Sequence, residues 1–196
     1  MNNVEKYFDG VAKNWDERES HSIDEKKALL NKVGIKKTDK VLDLACGTGV
    51  ITGLLHQYTN EIITGIDISS KMIEVALQKY KDDKNVRFIY ADFLKINDDN
   101  KYDVVIIYNA YPHFLEPEKL SQKLFDVLNK KGRFAILHSL SKEELTIHHS
   151  KGANNVSRLL TNPLNEYNFF KDKFNLIEAS ETNHSYTLIC EKKYIA

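Results

Sequence analysis

The chain has 196 residues, 42% of them apolar, and its 28 basic and 28 acidic side chains cancel to a formal net charge of zero. That length suits one domain, and balanced charge with ample hydrophobicity excludes lasting disorder. The basic excess of nucleic-acid binders is absent, and no apolar run approaches the roughly 20 residues of a membrane span. Cys46 and Cys190 are the only cysteines and cannot build a disulfide framework. The opening Met1-Asn-Asn-Val-Glu-Lys lacks the apolar stretch of a signal peptide. The expectation is a single cytoplasmic domain over residues 1–196, with no membrane span and no nucleic-acid partner, and compatible with a homodimer.

Residues 3–33 read as helical and carry Tyr7, Phe8, Val11 and Trp15 on nearby turns. Lys40 to Ala45 is a short buried strand, followed by the loop Cys46-Gly-Thr-Gly49 and a helix marked by Val50, Leu54, Leu55 and Tyr58. Ile62 to Ile66 is a second strand, closed by Asp67. Ser69 and Ser70 are plausible N-caps for a helix over Met72, Ile73, Ala76, Leu77 and Tyr80. Strands follow at 86–90 and 102–108, then a helix over 116–129 with Pro117 in its first turn, then a strand at 132–138. A helix is expected from Lys142 to His149. Apolar strands separated by helices signal a parallel sheet covered on both faces. The last two strands, 176–180 and 185–190, are joined by too short a turn for a parallel crossover, so they should form an antiparallel hairpin.

The loop at 46–49 is a glycine-rich first turn, where a ligand approaches bare backbone at a helix N-terminus. Asp67, twenty residues past Gly47, stands where an acid accepts hydrogen bonds from ribose hydroxyls. An ordinary dinucleotide site would place glycine at 52, where this chain has Thr52. Asp43, just before the loop, would repel a pyrophosphate and suit a ligand with a cationic centre.

These segments resemble the motifs of class I S-adenosylmethionine-dependent methyltransferases. Val41-Leu-Asp-Leu-Ala-Cys-Gly-Thr-Gly49 is similar to the first motif. Gly65-Ile-Asp-Ile-Ser69 with Met72-Ile73 is similar to the second, and Ala91-Asp-Phe93 to the third. The Tyr102 and Gly132 strands stand where the fourth and fifth fall, and residues 35–193 carry the resemblance. It implies an α/β, Rossmann-like, doubly wound sheet of seven strands in the order 3-2-1-4-5-7-6. It also implies S-adenosylmethionine as cofactor. Gly47 and Gly49 would then line its methionine part, with Asp43 near the amino group. Asp67 would bind the ribose, Asp92 the adenine amine with Phe93 against the ring, and Asn109 the methionyl end. Ala45, Ile68 and Met72 belong to the same motifs and complete the cofactor set. Phe8 to Asp16 resembles the lid segment of the quinone-type branch, so residues 1–34 are expected as a helical lid and 142–170 as a helical insertion at the acceptor pocket.

Methyl transfer needs a base only where the acceptor must lose a proton. His113, five residues past its strand, is the first candidate, against a packing or surface role. His138 ends the next strand, and His148 shares a helix face with Glu144, so His113, His138 and His148 could converge as a catalytic proton relay or a metal site, the plain alternative being a polar pocket wall. Their spacing is no recognised metal signature, and the candidate set includes no metal. Asn109-Ala-Tyr-Pro112 departs from the Asn-Pro-Pro-Tyr motif of amide and base N-methylating enzymes. Cys46 reads as a small buried loop residue. Tyr7 and Trp15 either close over the cofactor or pack in the core. The reading is a methyltransferase acting on a small-molecule acceptor. Its rivals are an RNA or protein methyltransferase, a binding protein without transfer, and a nicotinamide oxidoreductase.

Overall fold

The computed structural model describes residues 3–18, 20–97, 99–150 and 155–194, the side chains of 148–150 excepted. The chain opens with α1 (Asn3–Val11), two short 3-10 turns and α2 (Ile23–Val33). Alternation then sets in with β1 (Val41–Leu44), α3 (Thr52–Leu55), β2 (Ile63–Asp67), α4 (Ser70–Lys79) and β3 (Val86–Tyr90). It continues through β4 (Tyr102–Tyr108), α5 (Pro117–Val127) and β5 (Leu128–His138). After α6 (Lys142–Ser150) and α7 (Pro163–Glu166), β6 (Phe174–Thr182) and β7 (Ser185–Lys192) close the chain. The strands form one sheet in the order β3-β2-β1-β4-β5-β7-β6. Its first five strands are parallel, while β7 runs antiparallel to both β5 and β6, as the expected hairpin requires.

Period-two alternation divides the sheet residues between two cores. Leu42, Leu44, Val105, Ile107, Phe134 and Ile136 face α5 and the aromatic pair Phe170 and Phe174. Val41, Val104, Ile106, Ala135 and Leu137 face Leu29, Leu30 and Val33 of α2 and Ile51 and Leu55 beside α3. Both faces are therefore dry, and side chains of this size contribute roughly 1.5–3 kcal/mol each on full burial.

Three local outcomes refine the sequence reading. The expected 1–34 lid divides in two: α2 is a sheet-covering helix, closed by a Ser22–Glu25 capping box, and only the segment before it reaches the mouth of the sheet. The helix after the glycine loop is a single turn, because main-chain bonds there mix three-residue and four-residue spacings. Helix α5 ends at Val127 rather than 129, and β5 begins at once, turning through left-handed Lys131 (φ 60°).

Candidate functional site

The strand order reverses at β1, which has β2 on one side and β4 on the other. Ligands of open α/β sheets bind at the carboxyl ends of strands at such a point. Two non-glycine residues adopt left-handed backbone there, Ala45 (φ 58°) after β1 and Asn109 (φ 52°) after β4. Such a conformation costs of order 1–3 kcal/mol, and strain of this kind gathers at functional sites. Asn109 is held in it by its own side chain, whose Oδ1 accepts the Ser139 N–H at 2.9 Å.

A cavity of about 260 Å³ opens over these strand ends. Asp43, Ala45, Gly47, Asp67, Ile68, Met72, Asp92, Phe93 and Asn109 all line it. Gly49 does not: a Cβ there would lie 2.7 Å from Tyr80 Cε2. Its bare Cα instead admits the Tyr80 ring, whose hydroxyl donates to the Gly49 carbonyl (2.7 Å) and accepts the Gly53 N–H (3.0 Å). Gly49 thus braces the loop from behind. Gly47 is the glycine that faces the cavity, left-handed at φ 54°.

Two carboxylates dominate the electrostatics. Asp43 is 1% exposed and accepts the Thr52 hydroxyl at 2.6 Å. Burial pushes its carboxyl up to about 7, the Thr52 bond opposing and the nearby Asp67 charge adding. Asp67 accepts the N–H of Gly47 and of Ser69, both at 2.8 Å. Burial raises it to about 6 against those bonds, and Asp9 pushes the same way. Among the described residues neither acid forms an ion pair with Lys or Arg, so the site stores demand for a cation or for hydroxyl donors. Asp92 differs: its Oδ1 accepts the Leu94 N–H at 3.1 Å, and Lys95 pairs with its other oxygen at 2.8 Å.

The segment before α2 covers the cavity. Phe8 stands edge-on to Trp15 (5.6 Å between centroids) and to His113 (4.9 Å), and all three line the cavity. Three acids of this segment each engage a different loop below. Glu5 accepts the Tyr90 hydroxyl at 2.6 Å, just before the Asp92 loop. Asp9 accepts the Ser69 hydroxyl at 2.6 Å and the Lys71 N–H at 3.2 Å, at the N-terminus of α4. Asp16 accepts the Thr48 hydroxyl at 2.5 Å and pairs with Lys79 at 2.6 Å, on the glycine loop. Sequence reading named Tyr7 and Trp15 as the closing aromatics: Trp15 lines the cavity, whereas Tyr7 does not and packs edge-on against Phe8, which takes its place. The latching acids, the Thr52 bond to Asp43 and the Tyr80 brace were not read from the sequence. The partners of the acids and of Tyr80 lie 27 to 85 residues away, and that of Thr52 nine, with no local spacing to mark them.

The histidines separate. His113 lines the cavity, and its Nδ1 lies 2.9 Å from the Val156 carbonyl. His138 is fully buried, edge-on to Tyr186, and outside the cavity wall. It sits on the core face of β5 with Phe134 and Ile136, by strand alternation. The side chain of His148 lies outside the described residues. Among those described, no group of three His, Cys, Asp or Glu is arranged to hold a metal. Cys46 is buried in the loop, its thiol pushed well up by burial, so it is no ready nucleophile. None of the described residues of 142–170 lines the cavity; Val156 reaches it through His113. No helix among the described residues is long and apolar enough to cross a membrane.

Comparison with known proteins gives this geometry a context. A family model described as a methyltransferase domain matches residues 35–189. The malonyl-acyl-carrier protein O-methyltransferase 1 of Ilyobacter polytropus is 29% identical over 136 residues, 67% of this chain and 50% of that protein. The demethylmenaquinone methyltransferase of Thermotoga maritima is 36% identical over 104 residues, 52% of this chain and 44% of that protein. The chain thus spans about half the length of the curated relatives it matches. A chain from the complex between the Haloferax volcanii Trm112 methyltransferase activator and a methyltransferase superposes with a TM-score of 0.83. It covers 99% of both chains at 17% identity, a likeness of fold.

Proposed function

The chain belongs to the class I S-adenosylmethionine-dependent methyltransferases, and from that premise we propose that it moves a methyl group from S-adenosylmethionine to a small-molecule acceptor. The observation that carries the acceptor reading is the aromatic cover. Phe8 and Trp15 lie over the cavity beside His113, and three carboxylates tie their segment to the loops beneath. Such a cover suits a small molecule better than a folded RNA or protein.

The residues present fit the cofactor. Gly47 offers a left-handed cradle facing the cavity, and among the described residues neither buried carboxylate has a Lys or Arg partner. A ligand with sulfonium and ammonium charge and ribose hydroxyls supplies what both need. Asp67 would bind the ribose, Asp92 and Phe93 the adenine, and Asp43 and Asn109 the methionyl end, with Ala45, Ile68 and Met72 as walls. When bound, S-adenosylmethionine supplies an electrophilic methyl carbon for in-line displacement by an acceptor lone pair.

The protein's own work is positioning, which is worth up to roughly 7–11 kcal/mol. Where the acceptor bears an O–H or N–H, His113 takes its proton, and a placed base contributes about 10²–10⁴-fold. The acceptor we favour is uncharged, with an apolar body. Lys95 is the one Lys or Arg among the described cavity-lining residues, and it is already paired with Asp92, so among them a carboxylate acceptor would find no Lys or Arg that is not already paired.

The test is transfer of labelled methyl from S-adenosylmethionine into a cell extract, split into acid-precipitable and soluble fractions. Soluble label, reduced at least tenfold by His113→Gln, supports both parts of the proposal. Label confined to the precipitate overturns the small-molecule acceptor, and full activity in His113→Gln overturns the base.

A further inference from the structure

We propose that the Arg158–Glu166 pair is a positioning element that makes His113 a base through Nε2, by holding the Val156 carbonyl against Nδ1. The inference rests on the reading of His113 as the group that takes the acceptor's proton.

A carbonyl oxygen only accepts hydrogen bonds, so the 2.9 Å contact between His113 Nδ1 and Val156 O requires the proton on Nδ1. In the neutral ring the lone pair then resides on Nε2. That is the reverse of the tautomer that a free imidazole side chain prefers. Something must hold the carbonyl in place, and Val156 lies 43 residues along the chain from His113.

Arg158, two residues past Val156, supplies the hold. Its backbone N–H donates to the Pro112 carbonyl at 2.9 Å and its Nε to the Phe114 carbonyl at 3.3 Å. Its guanidinium stacks 4.5 Å from the Tyr111 ring centroid. Every residue of the 111–114 turn except His113 is thus held by one arginine, and His113 by the carbonyl beside it. The arginine in turn is fixed by Glu166, which is fully buried. Two nitrogens of the guanidinium reach that carboxylate at 3.2 and 2.7 Å. Thr161 donates to it through both N–H (2.9 Å) and hydroxyl (2.7 Å), and the Tyr111 hydroxyl donates at 2.9 Å. Burial pushes the Glu166 carboxyl up, but the Arg158 and Thr161 bonds outweigh it and hold it below the usual range. The group is therefore a carboxylate at neutral pH, and the two-point contact with the guanidinium fixes the orientation of Arg158.

A purely structural pair would stabilise the fold without regard to which ring nitrogen carries the proton, and the tautomer tells the two roles apart. Nitrogen-15 spectra of the histidine rings report it directly, with His113→Gln assigning the resonance. In the wild-type chain the neutral ring should show an N–H signature at Nδ1 and a lone-pair signature at Nε2. In Arg158→Lys and Glu166→Gln the dominant form should shift to a mixture with Nε2–H. Tyr111→Phe, which removes one donor to Glu166, should shift it in the same direction by less, and it serves where the other two fail to fold. An Nε2–H ring in the wild type would overturn the proposal, as would folded variants whose tautomer does not change. The readout needs no acceptor. It therefore stands or falls apart from the label-transfer experiment, which alone decides whether His113 acts as a base on a small molecule.

Discussion

Binding of S-adenosylmethionine should tighten as pH rises, because the site must shed a proton to receive it. Burial raises Asp67 to about 6 in the ligand-free chain. Hydroxyl donors and a cationic ligand favour its ionised form, which lowers the bound value. A ligand that takes only the carboxylate form gains about tenfold in affinity between about pH 5 and about pH 7, or roughly 1.4 kcal/mol. Asp43, raised to about 7, adds to the same slope if it too ionises in the complex. The ligand's α-amino group titrates higher, near about 8, and does not compete over this span. Isothermal calorimetry at several pH values, in two buffers of different ionisation enthalpy, measures both the affinity and the protons released. Asp67→Asn should flatten much of the slope and weaken binding by roughly 1.5–3 kcal/mol, the range for hydrogen bonds to a charged group. An affinity that is flat with pH, with no proton release, would refute the argument that these buried acids await a cation.

The other expectations follow from the same contacts. Asp9→Asn removes a charge that raises Asp67 and should move the pH midpoint of binding downward; an unmoved midpoint would contradict the coupling. The ligand-free chain should lose stability as pH rises from about 4 to about 7. A carboxyl whose folded pKa lies above its unfolded value holds its proton more tightly when folded, so its contribution fades as it ionises. Urea melts across that range check it, and saturating ligand should reverse much of the loss. Gly49→Ala forces a Cβ against Tyr80 at left-handed φ and should cost about 1–3 kcal/mol in a urea melt, whereas a neutral result would remove the bracing role given to Tyr80. Glu166→Ala leaves a half-buried Arg158 without its partner and should cost at most about 3–5 kcal/mol, the range for breaking a fully buried pair, read as a fall in Tm.

Much of this was written in the sequence, and the physics says which part. Parallel strands buried on both faces read as unbroken apolar runs, so Val41–Leu44, Ile63–Asp67 and Tyr102–Tyr108 stood out. Ligands of open α/β sheets bind at the carboxyl ends of the strands, so Asp67, Asp92 and Asn109, which all line the cavity, could be picked from their offsets. Gly49 carried the same offset signal but turned inward, because its side of the loop is set by Tyr80, 31 residues away. Thr52, read only as a missing glycine, proved to be the hydroxyl that bonds Asp43. The early helices looked alike in sequence. What parts them is where their apolar side chains land: Leu29, Leu30 and Val33 against the sheet, Phe8 and Trp15 over the cavity. His113 and His138 followed the same logic of adjacent strand ends. Strand alternation turned His138 into the core, a distinction that depends on the pleat and not on proximity in the chain.

The most direct test of the site is a crystal structure of the chain with S-adenosylhomocysteine. The account predicts the ribose on Asp67, the adenine between Phe93 and the Asp92 loop, and the sulfur turned toward the side of the cavity that holds His113, under Phe8 and Trp15. A ligand bound elsewhere, or one whose ribose leaves Asp67 untouched, would contradict it.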